Sequence, residues 1–380
     1  MSPEASGGIA AQRPSLWAFF LASSWLWCIG MYLPALLVRD FGLPGWGVFA
    51  LCNVTGATAV GALRGHVAGA VQQRVYAGWA RAFSLTTIAF HTMFLAWIGA
   101  VVGDGVLGDS GVAAAGLLAA LCWAAAAGLA GRGERTLLRT AAAVYAASIA
   151  ALALAGLTSQ WRQYQPAALH GEEPLAALPV AGAALALGFL LCPQLDLTLL
   201  RAREALGPQR RARVFVAGFG GLFLLMIVAS LFYGAGIAGG WLNLWLVAHF
   251  AVQSAFTMGA HQRELARRRL AGGWVGAVAA GLGMLAGIAA AALGAGELVY
   301  KAFLACYAVV FPVAALLMWR SSEARPRATL LTAGAALALF VPGQLQGRWL
   351  LTAAGVALAA GLPWVVAQRS RRSDGGVQSI

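Results

Sequence analysis

The sequence predicts an all-α polytopic membrane protein of about twelve transmembrane helices with both termini in the cytoplasm. Composition, the length of the apolar runs and the placement of arginine predict it. Of 380 residues, 61% are apolar and only 10% charged, with a mean hydropathy of +0.76. A soluble domain carries roughly a quarter charged residues to cover its surface. A bilayer-embedded chain does not, because lipid solvates Leu, Val and Ala directly. The 48 glycines suit closely packed membrane helices.

About twenty apolar residues cross a bilayer. On that measure the spans fall near 15–38, 44–63, 77–102, 111–131, 136–157, 179–200, 212–236, 242–262, 272–293, 297–319, 327–343 and 348–367. Loop charge checks the count independently. The N-terminus carries Arg13. The second connection carries Arg64, His66 and Arg74, and the fourth Arg132, Arg135 and Arg139. The sixth has Arg201, Arg203, Arg210, Arg211 and Arg213; the eighth Arg263, Arg267, Arg268 and Arg269; the tenth Arg320, Arg325 and Arg327. The tail adds Arg369, Arg371 and Arg372. Odd connections hold Arg39 with Asp40, then Asp104 and Asp109, then Arg162 against Glu172 and Glu173, and later Glu297 and Arg348. A missed helix would break this alternation, so the positive-inside rule places both termini inside and predicts a multi-pass protein of the cell inner membrane.

The organisation expected is a cytoplasmic tail at 1–14, five helices over 15–157, an external loop at 158–178, five more helices over 179–319, two appended helices over 320–368 and a tail at 369–380. The external loop, with Trp161 and Tyr164, reads as either an interfacial helix or a lid. Residues 16–38 are too long for a signal-peptide core and are expected to remain as the first span.

The net charge of +13 lies in short arginine clusters between apolar runs, so nucleic acid is not an expected partner. The bilayer and a small-molecule solute are; the oligomeric state is left open. There is one lysine, Lys301. The five cysteines lie far apart inside apolar runs, without metal-ligand spacing, and no P-loop motif is present. His66, His91, His170, His249 and His261 are scattered over both faces, which speaks against a membrane enzyme; no metal or organic cofactor is expected.

Two spans carry interruptions. In the first, Ser23-Ser24-Trp25-Leu26-Trp27-Cys28-Ile29-Gly30-Met31-Tyr32-Leu33-Pro34, Pro34 deprives the Gly30 carbonyl of its donor. That predicts either an unwound stretch lining a cavity or an ordinary proline kink. In the sixth, Cys192-Pro193-Gln194-Leu195-Asp196 follows a wholly apolar half. Interruptions in spans one and six are the arrangement of two five-helix inverted repeats whose broken helices face each other at a solute site.

The stretch from Asp196 through Thr198, Arg201 and Glu204 to Arg213 and Phe215 resembles the end of the sixth core helix of sodium/solute symporters. Gly47 to Ala57, with Asn53 and Thr55, is similar to their second core helix. The resemblance covers about 80 residues and is to a divergent, shortened form. It implies the LeuT-like fold of the amino acid/polyamine/organocation superfamily and secondary active transport of a small organic solute by alternating access. A membrane sensor or scaffold derived from such a transporter is the alternative. Leu200 stands where the family usually has Gln. The resemblance also implies Na+ as a coupling ion, with a proton as the other choice. The tentative ion residues are Cys28 and Ile29 on the first span and Ser254 and Thr257 on the eighth.

The solute-site candidates are Ser24, Trp27, Gly30, Tyr32, Asn53, His91, Pro193, Gln194, His249 and Gln253. Ionisable residues at membrane depth are costly, which singles out His91 and His249. Counting residues to the outer surface puts both roughly 10–15 Å deep, on spans that are counterparts in the two repeats. They are expected to line the cavity and bind solute or carry a proton, or else to be neutral and satisfied locally. Trp25, Trp27 and Tyr32 suit a cationic or ring-bearing solute, or simple packing. No carboxylate is expected at the membrane centre. Asp196 is placed near the cytoplasmic end, paired with Arg201 or a nearby arginine as a gate, or solvated.

Overall fold

The computed structural model describes residues 13–62, 74–107, 111–158, 168–238, 242–320 and 326–375. Arg64, His66, Asp109, Trp161, Arg162, Tyr164 and Arg325 lie outside the described residues. Every regular element among those described is helical. In chain order these are α1 (Pro14–Trp25), α2 (Cys28–Phe41), α3 (Leu43–Ala62), α4 (Arg74–Leu107), α5 (Gly111–Ala130) and α6 (Glu134–Thr158). Then come α7 (Leu178–Leu191), a 3-10 turn at Cys192–Gln194, α8 (Leu197–Ala205) and α9 (Pro208–Phe215). A π-helical stretch at Val216–Phe223 leads to α10 (Leu224–Val228) and α11 (Ser230–Ala238). The chain continues with α12 (Leu244–Arg267), α13 (Gly273–Ala292), α14 (Gly296–Ala305), a second π-helical stretch at Cys306–Val310, α15 (Phe311–Arg320), α16 (Pro326–Leu345) and α17 (Trp349–Gly375).

By length and composition, ten of these helical segments among the described residues can cross a membrane; α1 and α2, bent by 59° at a short break, make an eleventh if counted as one span. Helix α12 stands outside that set although it is 24 residues long. Its hydropathy is lowered by His249, Gln253, Ser254, Thr257, His261, Gln262 and Glu264, and all of these are buried.

Two packed groups organise the core. Helix α4 packs against α5, α12 and α13, and α12 also packs against α5 and α6. Small residues permit this close approach: Gly283 and Gly287 of α13 lie directly on the Ala89 and Met93 carbonyls of α4, where any side chain would overlap them. In the other group α2 packs against α3 and α11, α3 against α7, and α1 against the first π-helical stretch and α6. Helices α16 and α17 form a hairpin beside α7, α14 and α15.

Both interruptions exist, but the first is not where the proline suggests. Helix α2 runs unbroken through Pro34, and the chain breaks earlier, at Leu26 and Trp27. Nothing in the local sequence compels that break. It is held by one local contact, the Trp27 indole donating to the Ser24 carbonyl at 2.7 Å, and one tertiary contact, His91 of α4 accepting the Cys28 N–H at 3.2 Å. The second break follows Pro193 as expected. Asp196 then caps α8, accepting from Thr198 N–H at 2.6 Å and Leu199 N–H at 3.3 Å.

Where α2 meets α3, Gly42 has φ 68°, a left-handed conformation suited to glycine. Residues 168–173 strap this corner. Leu43 N–H donates to the Ala168 carbonyl at 2.8 Å, Glu172 N–H to that of Arg39 at 2.9 Å, and Glu173 N–H to that of Asp40 at 2.7 Å. The described part of the long connection is therefore a backbone-paired strap rather than an interfacial helix.

Candidate functional site

The two breaks open onto one cavity. It has a volume of ≈ 120 Å³ and receives Trp25 and Trp27 from the first break and Cys192 from the second. Gly30, Leu33 and Leu37 of α2 form one wall, and Gly188 and Phe189 of α7 another. Tyr307 and Lys301 approach from α14 and its π-helical extension, and Phe340 and Gln344 from α16. The lining is mostly apolar. Of its polar groups, Asn53 accepts the Trp25 indole N–H at 2.6 Å through Oδ1, and Lys301 Nζ pairs with Glu297 at 2.8 Å.

Through Glu297, Lys301 joins an ion network. Arg39, on the last turn of α2, holds Glu297 of α14 by two hydrogen bonds of 2.8 and 2.9 Å and also binds Asp40 at 2.7 Å. Such a two-pronged Arg–carboxylate pair fixes geometry as well as charge. It ties the last turn of α2 to the first turn of α14.

Interrupted helices leave polar backbone groups that need partners at membrane depth. Here side chains supply them. The Ser24 carbonyl accepts from the Trp27 indole at 2.7 Å and the Ser23 carbonyl from Thr257 Oγ1 at 3.3 Å, while Tyr300 OH and Tyr233 OH add second donors, at 3.1 and 2.7 Å, to the Cys28 and Met31 carbonyls of α2. Tyr76 OH donates to the Gln194 carbonyl. His91 closes the set. Its Nδ1 lies 2.7 Å from the Thr87 carbonyl and its Nε2 3.2 Å from Cys28 N–H. A carbonyl can only accept and an N–H only donate, so the ring is the neutral Nδ1–H tautomer with both nitrogens used.

Of the ten solute-site candidates, Trp27, Gly30 and Asn53 line the cavity, and so does Ile29 from the ion set. Pro193 and Gln194 form the second break itself. The remaining candidates lie off the cavity. Ser24 Oγ accepts from Thr198 at 3.3 Å, Tyr32 packs in an aromatic group with Phe94, Trp97 and Tyr300, and Gln253 donates to Ser148 Oγ at 2.8 Å. His249 lies against Phe250 with its Nδ1 unpartnered, and His91 is consumed in holding the break. The two histidines are thus not brought together at a solute.

Among the described residues, no hydrogen bond joins Cys28 or Ile29 to Ser254 or Thr257, the tentative sodium residues. Cys28 and Ile29 fall in the first turn of α2, because the break lies before them, so their carbonyls belong to the helical ladder. Thr257 Oγ1 donates to the Ser23 carbonyl at 3.3 Å, and Ser254 Oγ has no partner.

The expected gate pairing also differs. Arg201 binds Glu134 at the start of α6 through Nε at 2.6 Å, with Nη2 on the same oxygen, and lies over the Trp17 ring at 5.9 Å. Asp196 is fully buried rather than solvated and pairs with no arginine among the described residues. Its Oδ1 is taken up by the α8 cap, while Oδ2 faces His261 Nε2 at 3.7 Å. One turn beyond the cap, Arg203 donates to the Val60 carbonyl at 3.2 Å; burial, and then Arg211, push its guanidinium below its ordinary value.

Sequence reasoning missed Lys301, Tyr307, Phe340 and Gln344, because the repeat scheme drew attention to spans one, three, six and eight. One signal was available: Lys301 is the only lysine in the chain and sits five residues into an apolar helix. No family model matches the chain, and no curated protein is detectably similar to it.

Proposed function

We propose that this chain is a secondary transporter of a small, largely apolar organic solute, embedded in the inner membrane with both termini in the cytoplasm. The observation that carries this reading is that breaks in two separate helical spans, α1/α2 and α7/α8, border the same cavity. A solute between broken helices contacts backbone and side chains that reorient when the helices rock, which is the requirement of alternating access. Twelve spans follow if α12 crosses as well; its buried polar residues are then intramembrane groups, rare and commonly functional. The positive-inside rule sets the orientation, with the Arg39–Glu297 network at the external rim and the Arg201–Glu134 pair at the cytoplasmic end. One break in each half also suits the five-plus-five repeat suggested by the symporter resemblance.

A second reading is a membrane sensor that binds solute without moving it. It is favoured by the tyrosine, tryptophan and histidine partners that already fix the groups at the breaks. Detergent-purified protein screened by thermal shift against a solute library, in sodium and in potassium buffers, tests binding. Stabilisation by a solute, followed by its uptake into proteoliposomes, supports transport. Stabilisation without uptake supports the sensor, and a library that stabilises nothing refutes both.

A further inference from the structure

The cavity does not use the buried pair formed by Asp196 and His261. Asp196 follows the second break, and His261 sits on the last turns of α12; both side chains are wholly buried. Asp196 Oδ2 and His261 Nε2 face each other at 3.7 Å, and neither atom has a hydrogen-bond partner. The other atom of each group is engaged: Oδ1 with Thr198 and Leu199, and Nδ1 with Ser84 Oγ at 3.1 Å. A carboxylate oxygen and an imidazole nitrogen left unpartnered beside each other share a single need, which one proton between them satisfies. An unpaired ionised carboxylate in such a place would be costly. The residue that breaks the first span lids the pair, with the Trp27 ring 5.7 Å from that of His261.

We propose that Asp196 and His261 together bind one exchangeable proton, and that this proton is the coupling ion of the transporter. The second half of that statement rests on the transport reading; the first does not. The location suits coupling, because the pair joins the base of one broken span to α12 beneath the Trp27 wall of the cavity. Any rocking of α1/α2 and α7/α8 against α12 changes the separation of the two groups. Helix α12 also carries His249, Gln253 and Thr257 at four-residue steps before His261, a polar line winding along a buried helix. A rise of 1.5 Å per residue makes that line about 18 Å long.

Neighbouring ionisable groups do not compete for the role. Glu264 is held by Arg263, Arg267 and Arg268, and Arg203 by the Val60 carbonyl. Tyr76 donates to the Gln194 carbonyl and Tyr307 contacts Thr87, so each phenol keeps its proton. The Cys192 thiol donates to the Tyr307 carbonyl, Cys28 is buried beside Tyr300, and both nitrogens of His91 are used.

The test is infrared difference spectroscopy of the full-length protein in lipid vesicles, titrated from about pH 5 to about pH 8, the range in which imidazole changes charge. The only probe is the proton. Labelling aspartate with carbon-13 separates its carboxyl band from that of glutamate. The wild type is expected to show a protonated-aspartate C=O band that titrates. The band should be lost in Asp196→Asn, which preserves the helix cap. In His261→Gln its titration should move to higher pH or leave the range, because the carboxylate without the imidazole beside it is costlier to ionise. Absence of a titrating aspartate band in the wild type overturns the proposal even if no variant folds. So does its survival in Asp196→Asn, or an unaltered titration in His261→Gln. A solute screen that finds nothing removes the coupling role and the transport reading but leaves the proton site standing, so the two failures are distinguishable.

Discussion

Replacing His91 by Leu removes the acceptor for Cys28 N–H at the first break while approximately conserving volume. In the structure that N–H is buried, lies at the start of α2, and has His91 Nε2 at 3.2 Å as its partner. Leaving a buried donor unsatisfied costs about 1–3 kcal/mol. The Thr87 carbonyl loses its contact with Nδ1 but retains its place in the α4 ladder, so little is added there. His91→Leu is therefore expected to destabilise the protein by about 1–3 kcal/mol. His91→Gln, whose Oε1 can reach the position of Nε2, should cost less than about 1 kcal/mol, because one acceptor replaces another. Unfolding of both variants and the wild type in the same detergent, followed by circular dichroism, measures the difference. If Leu costs no more than Gln, the histidine does not hold the break and the assigned tautomer has lost its reason.

The Arg201–Glu134 pair predicts that Glu134→Gln lowers stability by about 1.5–3 kcal/mol, the range of a hydrogen bond to a charged group. Because Arg201 does not touch Asp196, Arg201→Gln and Asp196→Asn should combine additively within about 0.5 kcal/mol in a double-mutant unfolding cycle; a larger coupling would restore the gate pairing. Gly56→Ala places a methyl group onto the Phe189 carbonyl between α3 and α7. It should lower stability by about 1–3 kcal/mol through overpacking, read as a drop in Tm, whereas Gly47→Ala, which faces open space, should not.

Much of the fold was legible because the bilayer imposes a coarse rule on sequence. Ten of the expected spans meet helical segments able to cross a membrane, 15–38 meets the bent pair α1/α2 and 242–262 meets α12, and the break after Pro193 was announced by the proline. The first break was misplaced because Trp27 breaks the chain through partners remote in sequence, His91 foremost, while Pro34 is accommodated inside α2. Counting residues put His91 and His249 at similar depth, but depth does not reveal which way a side chain faces. For the same reason the Asp196–His261 pair was invisible: 65 positions separate its members, and each looked peripheral when taken alone. The cavity wall from Lys301 to Gln344 required the packing of the second π-helical stretch, α15 and α17 against α7, which no local motif encodes.

Alternating access is tested most directly at Cys192, which lies at the second break and lines the cavity. With Cys28, Cys52, Cys122 and Cys306 replaced by Ala, Cys192 is the single thiol. Labelling with a membrane-impermeant maleimide is compared in right-side-out and inside-out vesicles. The transport account predicts modification from both faces, each slowed by a stabilising solute. Modification from one face only, with or without that solute, would contradict it and leave a protein that binds without moving its ligand.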